Sequence, residues 1–98
     1  MIGSYVVDFH LSPEEKDFLL DLVFDEGFSS AVGSSMTFYN EKLAAVSPDP
    51  RICRFLLRSH LTERAIQSCE HAHLSPRVGA ALGRILTDVV EKMAGLED

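Results

Sequence analysis

The stretch 75–95, "SPRVGAALGRILTDVVEKMAG", decides how this chain folds. Ser75 offers a hydroxyl to the free amides of a helix start, and Pro76 follows where a missing N–H does no harm. Gly95 has the backbone freedom of a helix end. Between them Val78, Leu82, Ile85, Leu86, Val89 and Met93 recur at three- and four-residue spacing, an apolar seam. The pattern predicts a helix over 76–94. Beside the seam lie Gly79 and Gly83, four residues apart on one flank. Each costs about 1 kcal/mol against Ala in a helix interior. The usual compensation is a second backbone that comes close. Gly79 and Gly83 therefore mark either tight packing on a neighbouring helix or a contact with the same helix in a second subunit.

Immediately upstream runs "SCEHAHLSP", residues 68–76, with three metal-ligand types in five residues. Thr62 can cap a helix over 63–72, on which Ala65, Ile66 and Cys69 share an apolar face. Cys69 and His73 are one turn apart and are the weak metal candidates, whereas His71 points away. A structural zinc needs four ligands, usually in two pairs. Cys53 and His60 are seven residues apart, about 10 Å along an axis and too far for one ion. No standard zinc spacing is present, so Cys69 reads as a core thiol. The histidines suit a helix C-terminus. Neither a metal nor another cofactor is expected.

Further upstream, Asp49-Pro50 opens a helix over 50–60. Arg51, Arg54 and Arg58 share one narrow stripe of it, and Ile52, Cys53, Phe55, Leu56 and Leu57 fill much of the rest. Ser12-Pro13-Glu14-Glu15 is a capping box. It starts a helix over 13–26 that Gly27 closes. Glu14, Asp17, Asp21 and Asp25 fall on one stripe here, and apolar residues cover most of the remaining arc. Like charges one turn apart repel by a few tenths of a kcal/mol. The two stripes are either solvated faces, surfaces for a partner of opposite charge, or partners for each other. Arg rather than Lys favours planar carboxylate pairing. So wide an apolar arc places the 13–26 helix centrally, or against a partner.

Two segments are ambiguous. "YVVDFHL", 5–11, alternates like a half-buried strand. Residues 30–47 read as a helix with Val32, Met36, Tyr39, Leu43 and Val46 on one face. A hairpin turning at Asn40-Glu41 is the other option, though Glu suits a tight turn poorly. If 30–47 is a helix, the N-terminal strand has no partner within the chain.

The chain of 98 residues makes one domain, 1–98. The expected fold is mainly α, with four or five helices and a short N-terminal strand or hairpin as an option. The net charge of −6 is uneven: residues 1–49 hold nine acids and two bases, and residues 50–98 hold six acids and seven bases. Such a chain is repelled from nucleic acid as a whole. No run is long and apolar enough for a membrane span, and "MIGSYVVDFHLSPEE" lacks the features of a secretory signal. A cytoplasmic location with reduced thiols is expected. No phosphate-cradling loop or nucleophile elbow appears.

These features predict a small acidic protein without catalysis, one that acts by covering another protein. An inhibitor, an immunity or anti-defence protein and a regulatory subunit all fit. A homodimer is a natural sink for the extra apolar surface. The alternative is a helix-turn-helix-like DNA-binding regulator built on 63–94, with Arg77 and Arg84 facing the duplex. Its apolar register is one residue off, Gly79 and Gly83 weaken the reading helix, and the net charge opposes it. Metal binding through Cys69 and His73 ranks third.

Overall fold

A computed structural model describes residues 2–43, 45 and 49–96. Helix follows helix through them: α1 Ile2–Asp8, α2 Pro13–Val23, α3 Glu26–Phe38, α4 Pro50–His71 and α5 Pro76–Met93. A single wider π turn, Tyr39–Leu43, prolongs α3. The mainly α expectation holds, and no strand occurs among the described residues.

The N-terminal strand reading is corrected to a helix. Val6, Val7 and Phe9 gave it β character, but a lone strand leaves its backbone groups unpaired, whereas a helix satisfies its own. Tyr5, Val6 and Phe9 pack onto the core, and Val7 faces solvent. The 13–26 helix ends early. Ser12 and Glu15 do form the capping box. At the other end Asp25 turns extended and accepts from the Gly27 amide as the cap of α3. Gly27 thus sits in the first turn of α3 and closes nothing. In α3 and its π turn, Val32, Met36, Tyr39 and Leu43 do share a face against the core. Val46 lies outside the described residues.

The predicted helices 50–60 and 63–72 are one helix of 22 residues. Thr62 is not a cap. Cys53, Leu57, Leu61, Ala65 and Cys69 are all buried and recur every four residues, so a single stripe crosses the expected break. Burial of that stripe outweighs a local capping signal.

The helix at the centre is α5, not α2. Val78, Ala81 and Ile85 enter one apolar cluster with Leu11, Leu19 and Cys69. Leu86 and Val90 enter a second with Leu43, Cys53, Leu57 and Leu61. Helix α4 runs antiparallel along α5, and the two glycines face it. A Cβ on Gly79 would lie 2.7 Å from the Ile66 Cα, and one on Gly83 would lie 2.6 Å from the Thr62 Cα. The next position at this spacing is Thr87. It is fully buried and donates its hydroxyl to the Gly83 carbonyl at 2.7 Å. Gly79 and Gly83 therefore pack on α4 within the chain, the neighbouring helix that was one of the two readings for them.

Three helix ends close in the same way. The Leu96 amide donates to the Glu91 carbonyl at 2.9 Å and the Gly95 amide to Lys92, with Gly95 at φ +71°. Leu74 and His73 repeat this on Cys69 and Glu70, and Leu11 and His10 repeat it on Val6 and Val7. In these two copies a histidine takes the left-handed position, at φ 60° for His73 and 53° for His10. Each apolar residue that follows tucks inward, the Schellman arrangement.

Candidate functional site

The arginine stripe is largely spent inside the fold. One helical turn separates Arg54 from Arg58, and both reach Glu91 on α5. Arg54 Nη2 lies 3.4 Å from one carboxylate oxygen, and Arg58 Nη2 lies 3.2 Å from the other. Glu91 is only 3% exposed. It continues the four-residue series of Gly79, Gly83 and Thr87, so the face that brings α4 close also delivers this carboxylate. Arg51, at the helix start, instead pairs with Asp49 at 3.3 Å and is exposed. Among the described residues no ion pair joins the acidic stripe to the basic one. The sequence reading missed Glu91. The signal available was the four-residue period running from Gly79 to Glu91 beside two arginines at matching spacing.

The acidic stripe has a different fate. Glu14, Asp17 and Asp21 are exposed on α2, and no ion pair to any of them occurs among the described residues. Asp25 leaves the stripe to cap α3. Phe18 is 52% exposed and Phe24 83%. On a helical wheel they flank Asp17 and Asp21 on the same outward face. The outward side of α2 is thus carboxylate and aromatic together.

In the stretch 68–76 the thiol and the two imidazoles lie in different surroundings. Cys69 is buried in the core, and burial pushes its thiol above the ordinary range. His73 has left the helix for its left-handed position and is exposed, as is His71. The one-turn spacing that favoured Cys69 with His73 requires an unbroken helix through 73, which the turn at Ala72 ends. Among the described residues no group of three or more His, Cys, Asp or Glu side chains could hold a metal ion.

The region 63–94 does not form a short helix, a turn and a second short helix. Its first part is the end of the long α4, which lies along α5 as a hairpin. Arg77 donates to the His10 carbonyl at 3.2 Å, and Arg84 pairs with Asp88 at 3.2 Å. The other Asp88 oxygen accepts from the Tyr5 hydroxyl at 2.6 Å. Burial and the Asp88 carboxylate push the Tyr5 phenol up to about 12. Both arginines therefore tie α1 to α5 or lie against that tie.

Among the clefts on the surface of the described residues, two adjoin α4. The larger, about 740 Å³, lies over α4 and α5 next to Phe9 and Phe55. The smaller, about 290 Å³, separates α3 from α4 above Leu82 and Leu86 of α5. No helix among the described residues is long and apolar enough to cross a membrane. Comparison with protein families, curated proteins and solved structures finds no match to this chain.

Proposed function

We propose that the chain is a small non-catalytic protein-binding protein whose docking surface is the outward face of α2. The observation that carries this reading is the joint exposure of Asp17, Asp21, Phe18 and Phe24. A Phe side chain buries 150–250 Å² when covered. At about 25 cal/mol per Å², covering Phe24 can contribute a few kcal/mol to an interface, and the half-exposed Phe18 roughly half of its full value. The surrounding carboxylates select for a basic partner and speed the encounter. A basic amphipathic segment meets both demands. Inhibitor, immunity protein and regulatory subunit are three forms of the same activity, in a cytoplasmic setting. A homodimer through this face would oppose like charges. Self-association would instead use α4, where Ile52 and Phe55 are exposed.

The test is affinity capture from the native cell with wild-type protein, Asp17→Lys/Asp21→Lys and Phe18→Ser/Phe24→Ser. Asp25 is left intact because it caps α3. A specific basic protein should be captured by wild type and lost from both variants, with helical circular dichroism unchanged. Equal capture by all three proteins would overturn the reading. Light scattering on the purified protein decides the homodimer in parallel.

A further inference from the structure

The smaller cleft exists because the facing sides of α3 and α4 do not fill it. Ala31, Ser34 and Ser35 on α3 are small, and α3 rests on α5 rather than on α4. Across the gap, His60, Arg64 and Ser68 stand at four-residue spacing on one stripe of α4. The floor is apolar. At one end the ring of Phe38 stacks on His60, with centroids 4.2 Å apart and planes 14° from parallel.

Arg64 and the Ser34 and Ser68 hydroxyls are donors here without an internal acceptor among the described residues. Arg51, Arg54, Arg58 and Arg84 each meet a carboxylate, and Arg77 meets a carbonyl. Arg64 has neither an ion pair nor a hydrogen bond among the described residues. Among the described residues no carboxylate lines the cleft, although the chain as a whole carries −6. The Ser35 hydroxyl is spent on the Ala31 carbonyl at 2.7 Å, whereas those of Ser34 and Ser68 make no hydrogen bond among the described residues. The larger cleft differs. Arg58 and Arg84 share it with Glu63 and Glu70, so it selects no ligand charge.

We infer that the cleft between α3 and α4 binds a small carboxylate with a flat apolar body. Its carboxylate takes the Arg64 guanidinium, a fixed planar donor, together with the Ser34 and Ser68 hydroxyls. Its body lies on Leu82 and Leu86 beside the Phe38–His60 stack. A cleft of about 290 Å³ suits a two-ring molecule. The site is separate from the α2 face and stands or falls without it.

The test uses 1-naphthoate and the neutral 1-naphthalenemethanol as probes, read by amide chemical shifts of the full chain. Naphthoate should move the amides of Ser34, Arg64 and Ser68 and leave Phe18 and Phe24 in place. Arg64→Gln should weaken naphthoate about tenfold, the effect of losing one charge-assisted hydrogen bond, and leave the alcohol unchanged. Ser34→Phe should block both probes. Arg64 and Ser34 are exposed, so both variants should keep the fold. Naphthoate that leaves the cleft amides unmoved would overturn the inference. So would an alcohol that binds wild type as tightly as naphthoate, or an Arg64→Gln variant that binds naphthoate unchanged.

Discussion

Replacing Gly83 with Ala sets two effects of known sign against each other. Helix propensity favours Ala by about 1 kcal/mol. The new Cβ, however, lands 2.6 Å from the Thr62 Cα and 3.2 Å from its amide nitrogen. Comfortable carbon pairs sit at about 3.5–4.0 Å. The two helices must therefore part by roughly 1 Å at this level, because backbone cannot rotate away as a side chain can. A gap of that size forfeits about a quarter to a half of each dispersion contact beside it. The contacts at risk include Leu57 and Leu61 with Leu86. Overpacking costs about 1–3 kcal/mol in general, occasionally more, and a rigid obstacle puts this site at or above the top of that range. After the propensity gain, a net loss of about 2–3 kcal/mol is expected. For a domain of this size that lowers Tm by roughly 10–20 °C. Gly33→Ala is the matched control. Gly33 is exposed in α3, and a Cβ there meets nothing within 4 Å. It should stabilise by about 1 kcal/mol. Thermal and urea unfolding followed by circular dichroism measure both. A Gly83→Ala protein as stable as wild type would refute the backbone contact between α4 and α5.

Other outcomes follow from the same geometry. Glu91→Ala leaves two guanidinium groups facing an emptied site. Complete burial would make that loss about 3–5 kcal/mol, but Arg54 and Arg58 retain some solvent contact. About 2 kcal/mol is expected in urea unfolding, and a loss under 0.5 kcal/mol would remove Glu91 as a tie between helices. His10→Gly and His73→Gly relieve left-handed strain and should each raise stability by about 0.5–1 kcal/mol, read as Tm; a fall would contradict the left-handed turns. The Tyr5 phenol is raised to about 12, so the fold favours its neutral form. That contribution is complete below about pH 10, where the unfolded chain's phenol begins to ionise, and is lost as pH rises toward 12. Ultraviolet titration should show a late tyrosine step that Tyr5→Phe removes, and Tyr5→Phe should lose less stability than wild type between pH 10 and 12.

Much of this fold was legible because capping chemistry is local. Ser12, Asp49 and Ser75 open helices as their neighbours predict, and Gly95 ends one. The need of Gly79 and Gly83 for a close backbone was equally plain, since a residue without Cβ costs stability unless something uses the space. The same local signals misled where tertiary packing outweighed them. Thr62 resembles a cap but lies in mid-helix, because Leu57, Leu61 and Ala65 bury on one continuous stripe. Asp25 resembles part of an acidic face but caps α3. The alternation at 5–11 resembles a strand, but no second strand among the described residues accepts its hydrogen bonds.

The candidate sites divide along the same line. Which residues carry charge, and at what spacing along each helix, is a property of the sequence, and the acidic face of α2 could be drawn from it. Whether a charge is free depends on what the chain folds against it. Arg54 and Arg58 meet Glu91, a residue more than thirty positions away, only because α4 and α5 lie antiparallel in close contact. Arg64, on that same helix, faces the gap under α3 instead. The sequence by itself determined the helix starts at Ser12, Asp49 and Ser75 and the demand of Gly79 and Gly83 for one tight crossing. Tertiary structure alone decided which arginines meet a carboxylate and that Arg64 lines a cleft without one among the described residues, because distance between helices, unlike spacing along one, is written in no local pattern.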